Sequence, residues 1–131
     1  MDRIIDANFN RAKEGLRVCE DVCRFFLDER GWTKQLKMIR HRLTEIIAHL
    51  KLKTLLKARN IEGDVGKVSH ASSEFKRKNV SDIFYANVQR VKESIRVLEE
   101  FTKLRNVTIA QELKSLRYQI YALEKKVVVK L

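Results

Sequence analysis

A chain of 131 residues has room for one domain with one core. Its 44% hydrophobic and 34% charged residues exclude a disordered tail, and the lack of proline with only four glycines argues against turn-dense sandwiches and against a glycine-rich nucleotide loop. The formal charge is +11, a field that attracts polyanions, either a nucleic-acid backbone or a small ligand rich in phosphates.

The opening Met1-Asp2-Arg3-Ile4-Ile5-Asp6 lacks a signal peptide's apolar run. No stretch approaches the ~20 apolar residues of a membrane span, so a cytoplasmic protein is expected. Ile5, Phe9, Ala12, Leu16, Cys19, Cys23 and Phe26 then recur at i, i+3/i+4 spacing and predict a first helix. Cys19 and Cys23 lie on its apolar face as buried free thiols; without a histidine pair at ligand spacing they make no zinc site. A second helix carries Leu36, Ile39, Leu43, Ile46, Ile47 and Leu50, with Thr33 as its expected N-cap. A third carries Phe84, Val88, Val91, Ile95 and Leu98, capped by Ser81 or Asp82. The fourth carries Ile109, Leu113, Leu116, Ile120, Leu123 and Val127, opened by a Thr108…Gln111 capping box. Short breaks make two helix hairpins, over about 3–57 and about 82–128, joined by a long polar loop at 58–81. The predicted fold is an all-α four-helix bundle in a single domain.

The chain also repeats itself. ANFNRAKEGLRVCE at 7–20 matches ANVQRVKESIRVLE at 86–99 in eight of fourteen positions without a gap, and Leu36-Lys37-x-Ile39-Arg40 echoes Leu113-Lys114-x-Leu116-Arg117. A duplicated hairpin packed about a pseudo-two-fold axis accounts for this. The matched residues are mostly polar, which helix packing alone does not demand.

Asn8, Arg11, Arg40, Asn87, Arg90 and Arg117 fall on or beside the apolar faces, and Glu124 lies on one, where it needs a partner. These seven residues are expected to line one polar seam or pocket between the hairpins. For the asparagines, an amide-to-backbone bond with ordinary packing is the alternative. Arg17, Glu20, Asp21, Arg24, Arg96, Glu99 and Glu100 read as a surface ion-pair ladder. Lys13 and Lys92, like His41, His49 and His70, read as solvated surface groups. Residues 31–60 hold eight basic side chains against one acidic, Arg59 among them, and so carry most of the excess charge. Aromatic interleaving is poor there and no nucleic-acid-binding signature is present, which makes nucleic acid the weaker expectation. In Gly63-Asp64-Val65-Gly66, a carboxylate between two glycines could ligate Mg²⁺ beside free amides that meet phosphate, or the segment is a plain turn.

Four stretches together carry a resemblance. They are Arg3-Ile4-Ile5-Asp6-Ala7-Asn8-x-x-Arg11-Ala12-x-Glu14-Gly15-Leu16-Arg17, Gly63-Asp64-Val65-Gly66, Ala86-Asn87-x-x-Arg90…Glu93…Arg96-Val97-Leu98-Glu99-Glu100-Phe101, and Leu116-Arg117-Tyr118-x-x-Tyr121-x-Leu123-Glu124. They resemble, over essentially the whole chain, the small helical hydroxymethylpyrimidine-phosphate kinase domain that occurs free-standing or fused ahead of bacterial thiamine-phosphate synthase. The resemblance implies transfer of the ATP γ-phosphoryl to 4-amino-2-methyl-5-(phosphooxymethyl)pyrimidine, with Mg²⁺ and with thiamine-phosphate synthase as a partner. In that setting Arg11, Arg90, Arg40 and Arg117 are expected to be catalytic. Asn8, Asn87, Arg59, Gly63 and Gly66 are expected to bind substrate or phosphate, and Asp64 and Glu124 to hold the metal. The repeat suggests two half-sites, one for each substrate. Competing readings are a basic nucleic-acid-binding module, another arginine-lined helical enzyme of chorismate mutase type, and a non-catalytic partner of the synthase. Long helices in so short a chain could also hide an apolar edge by forming a homodimer.

Overall fold

The computed structural model describes residues 1–68 and 75–131, the side chains at 52 and 53 excepted. His70 and part of the connecting loop thus lie outside the described residues. The described chain is helical, with α1 (Asp2–Asp21), α2 (Arg30–Ala48), α3 (Leu52–Ala58), α4 (Val80–Thr102) and α5 (Val107–Val127). The residues expected at core spacing in each long helix are buried, from Ile5 through Cys23 and from Leu36 through Leu50, and again from Phe84 through Leu98 and Ile109 through Val127. Phe26 is the exception, at 59% exposure. A π turn over Val22–Phe26 follows α1, with Leu27 N–H donating to the Val22 carbonyl at 3.0 Å. Such a turn takes about one residue more than an α turn, so it rotates Phe26 off the buried stripe.

The caps differ from expectation in a consistent way. Asn79 caps α4 by accepting from Asp82 N–H at 2.9 Å, and Asn106 caps α5 by accepting from Ile109 N–H at 3.2 Å. The expected caps, Ser81 or Asp82 and the Thr108…Gln111 box, therefore lie inside helices that start earlier. Thr33 likewise lies within α2, and its hydroxyl donates to the Glu29 carbonyl at 2.8 Å. Asparagine competes well for the cap because its short amide oxygen reaches back to a free N–H. A fifth helix was not expected. Lys51 takes the left-handed conformation, φ 61°, which breaks hairpin 1 and turns α3 back against α1. Leu55 of α3 is buried there.

The hairpins α1/α2 and α4/α5 pack with α1 on α4 as the most extensive helix contact and with α2 on α5. Gly15 of α1 lies against α4, where a Cβ would stand 2.7 Å from Val91 Cγ2 and 2.9 Å from the Asn87 carbonyl oxygen. Its counterpart in the repeat, Ser94, is buried. A small residue at each position lets the two helices approach closely.

Gly15→Ala should lower stability by about 1–2 kcal/mol, because the clash with a backbone carbonyl outweighs the gain in helix propensity. Denaturant unfolding measures this, and an unchanged or raised midpoint contradicts it. Burial also raises both thiols and carries Cys23 to about 11. At about pH 8 Ellman's reagent should therefore modify the folded protein about a hundredfold more slowly than the unfolded chain. The folded state holds protons that an unfolded chain releases from about pH 9 upward, so stability should fall between pH 9 and about 11.

Candidate functional site

A cleft of about 700 Å³ opens where the first turns of α1 meet the segment after α3. Asp6 is 5% exposed and forms its inner wall. Arg59 donates to both carboxylate oxygens of Asp6, Nε to Oδ2 at 2.7 Å and Nη2 to Oδ1 at 2.8 Å. These bonds favour the guanidinium's charged form and raise its pKa. Asn10 Nδ2 donates to the same carboxylate at 3.2 Å. Arg3 reaches the Asn60 and Gly63 carbonyls at 3.2 and 3.4 Å. Two side chains of α1 thus strap the segment 59–63 to the helix start. Within the strap, Asn60 Oδ1 accepts from Gly63 N–H at 2.7 Å and Asp64 Oδ1 from Gly66 N–H at 2.9 Å. The glycine amides expected to meet phosphate are therefore engaged by side chains.

Arg11, Asn8, Arg59 and Asp64 line this cleft together. Asn8 Nδ2 donates to the Ile4 carbonyl at 2.9 Å, which leaves its amide oxygen toward Arg11 Nη1 at 3.5 Å. That contact is long, so the Arg11 guanidinium keeps its charge and most of its donors for a ligand. Glu14 also lines the cleft, and among the described residues neither it nor Asp64 makes an ion pair. Among those residues no three His, Cys, Asp or Glu groups cluster. Glu14 and Asp64 are the carboxylates of the lining that could hold a metal ion, with phosphates and water completing its shell.

The remaining expected site residues do not join them, and the single polar seam divides into separate ion pairs. Arg40 Nε donates to Glu20 Oε2 at 3.0 Å. Arg117 pairs in the same way with Glu99, through Nε and through Nη2 to Oε1 at 3.1 Å. Glu20 and Glu99 are each 2% exposed, so they are not surface groups, although the expected ladder pairs Arg17–Glu20, Arg96–Glu99 and Arg96–Glu100 do form, at 3.6, 3.8 and 2.9 Å. The bond to Glu99 raises the Arg117 pKa, and the guanidinium also lies 5.2 Å from the centre of the Tyr118 ring. Glu124 pairs with Lys92 Nζ at 2.8 Å, which excludes it from the cleft and Lys92 from the solvated surface. Asn87 donates to the Ile83 carbonyl at 2.8 Å, the backbone bond weighed for it. Arg90 is exposed, and the described residues put no counterpart of the 59–64 segment beside it. Among the described residues, walls are thus seen around the Arg11 half-site and not around Arg90.

Arg3, Asp6, Asn10, Glu14 and Asn60 were not expected in the site. Arg3, Asp6 and Glu14 belong to the opening motif, but their roles depend on a segment more than forty residues further along.

Among the described residues, Arg117→Ala leaves buried Glu99 with only the exposed Arg96, 3.8 Å away, and should cost about 3 kcal/mol in chemical denaturation. Arg11→Ala should leave the unfolding midpoint within about 0.5 kcal/mol of the parent, as expected for an exposed group with one long contact. Equal losses in the two variants would contradict this division between structure and site.

The sequence pattern of the ThiD2 family matches residues 3–126. The chain is 43% identical over 122 residues to a thiamine-phosphate synthase of Synechocystis sp., covering 93% of this chain and 34% of that protein. It is 41% identical over 122 residues to the thiamine-phosphate synthase of Nostoc punctiforme, with the same coverage. The thiamine-phosphate synthase of Rhodopirellula baltica is 38% identical over 120 residues, covering 92% of this chain and 32% of that one. The chain thus spans about a third of the length of these relatives. No solved structure matches it. Among the described residues no helix is long and apolar enough to cross a membrane. With a match that runs from Arg3 to Lys126, through both copies of the repeat and the loop between them, the chain belongs to the ThiD2 family.

Proposed function

We propose that this chain serves thiamine biosynthesis as a phosphotransferase, moving the γ-phosphoryl of ATP to 4-amino-2-methyl-5-(phosphooxymethyl)pyrimidine. One observation carries the reading beyond the family. Two motifs far apart in the chain, the opening of α1 and the Gly-Asp-Val-Gly segment, meet in one cleft beside an arginine free to bind phosphate. A phosphate oxygen of the acceptor attacks the γ-phosphorus as the bond to the bridging oxygen breaks, leaving ADP and the pyrimidine diphosphate. The nucleophile is already ionised near neutral pH, so the site needs no general base. Positioning and charge neutralisation supply the catalysis.

Arg11 is assigned to the transferred phosphoryl group or the acceptor phosphate. Arg59 is a positioning residue, because two of its five donors are held by Asp6. Asn8 orients Arg11. Asp64 and Glu14 would hold Mg²⁺, which when bound neutralises phosphate charge. Arg40 and Arg117, engaged by Glu20 and Glu99, are assigned to the framework rather than to the chemistry.

The test is ADP release from ATP, Mg²⁺ and the pyrimidine monophosphate. Release should saturate with the monophosphate, and Arg11→Ala should reduce kcat/KM by about 10²–10³. Near-normal turnover in that variant would refute the assignment. A second reading, a non-catalytic partner module of the synthase, draws on the chain's covering only a third of its relatives. It predicts that the monophosphate binds without ADP release.

A further inference from the structure

A second hollow, of about 560 Å³, lies at the other end of α1, where the π turn leads into α2. It is separate from the cleft and has no residue in common with it. Arg24, Arg30, Lys34 and Lys37 line it, all exposed, and none makes an ion pair among the described residues. Arg24 rests on the Phe25 ring, 4.7 Å from its centre. Of the two carboxylates in the lining, Glu20 is neutralised by Arg40 at 3.0 Å, with Arg17 at 3.6 Å. Asp28 has no cationic partner among the described residues, so the hollow keeps a surplus of positive charge. The positive end of the α2 dipole adds to that field.

The duplication provides an internal control. The equivalents of Arg24, Arg30, Lys34 and Lys37 in the second hairpin are Lys103, Val107, Gln111 and Lys114. Lys103 is paired with Glu100 at 2.7 Å, and Lys114 stands 6.0 Å from the Tyr118 ring. Hairpin 2 therefore packs with the same buried Glu–Arg pair and without an open cluster of four cations. Folding does not require that cluster, and its mutual repulsion in hairpin 1 is a cost without structural return. Four unpaired cations around a small concave volume suit a compact polyanion more than an extended one. We propose that this hollow is a second binding site, for a short phosphate chain such as a di- or triphosphate group.

Titration calorimetry of the whole chain with inorganic tripolyphosphate tests this. The double variant Arg30→Gln/Lys34→Gln should bind about tenfold more weakly or worse, with unchanged helical circular dichroism and unfolding midpoint. Lys37→Gln, a milder change, should weaken the same binding event in the same direction, whereas Arg11→Ala should weaken only a second event, phosphate binding in the cleft, and leave this one unchanged. Displacement by ATP would identify a nucleotide's phosphates as the ligand, and failure of ATP to compete would identify a free phosphate chain; each supports the site. Unchanged affinity in both glutamine variants overturns the proposal, as does loss of the glutamine-sensitive binding event in Arg11→Ala. It is also overturned if the variants weaken binding of a single-stranded RNA oligomer and tripolyphosphate does not bind the parent. The readout does not depend on turnover, so failure of ADP release would leave this result interpretable.

Discussion

The close approach of α1 and α4 is the constraint on which the rest of the molecule depends. No side chain fits between Gly15 and the backbone of α4 at Asn87. The first helices of the two hairpins therefore make the most extensive helix contact, and their partners α2 and α5 pack on them and on each other. Once α1 and α4 are in contact, the conserved pattern of the repeat has a structural meaning. Glu20 and Glu99 are carried into the interior, where each needs a cation. Arg40 and Arg117, at equivalent turns of α2 and α5, reach them from the neighbouring helix, beside Arg17 and Arg96 on their own helices. A buried carboxylate without its arginine would be strongly destabilising. These pairs fix the position of each hairpin's second helix on its first.

The candidate site lies where the copies differ. Asp6 corresponds to Tyr85, and only Asp6 can receive Arg59 and hold a loop against the helix start. Glu124 corresponds to Ile47, so only α5 offers a partner for Lys92. Asn8 and Asn87, and Arg11 and Arg90, remain alike, yet among the described residues it is the first of each pair that lines the cleft. Identical side chains acquire different chemistry when a neighbouring segment supplies walls on one side. The cationic hollow at the far end of α1 follows the same rule, since its charge has no open equivalent in hairpin 2.

Much of this was legible before any coordinates. The helices, their buried faces and the two-hairpin organisation follow from apolar spacing, because burial selects one face of a helix. The π turn and α3 were not legible. The first changes phase within an uninterrupted apolar pattern, and the second depends on a left-handed Lys51, a conformation that side-chain pattern does not encode. The site was half legible. Asn8, Arg11, Arg59 and Asp64 were named and do meet, but Arg40, Arg117 and Glu124 had equal claims from their positions beside the apolar faces.

The sequence alone determined the number of long helices, their inward faces, the duplication and the need for Glu124 to find a cation. Those properties depend on local periodicity and on the cost of burying charge, both of which can be read along one chain. Tertiary structure decided which arginine meets which carboxylate. Glu20 and Glu99 each had several cations within a few turns, and only the packing of α2 and α5 brings Arg40 and Arg117 across to them. That choice engages two of the candidate arginines in ion pairs and leaves Arg11, among the described residues, without one, because an ion pair is selected by distance through space and not by separation along the chain.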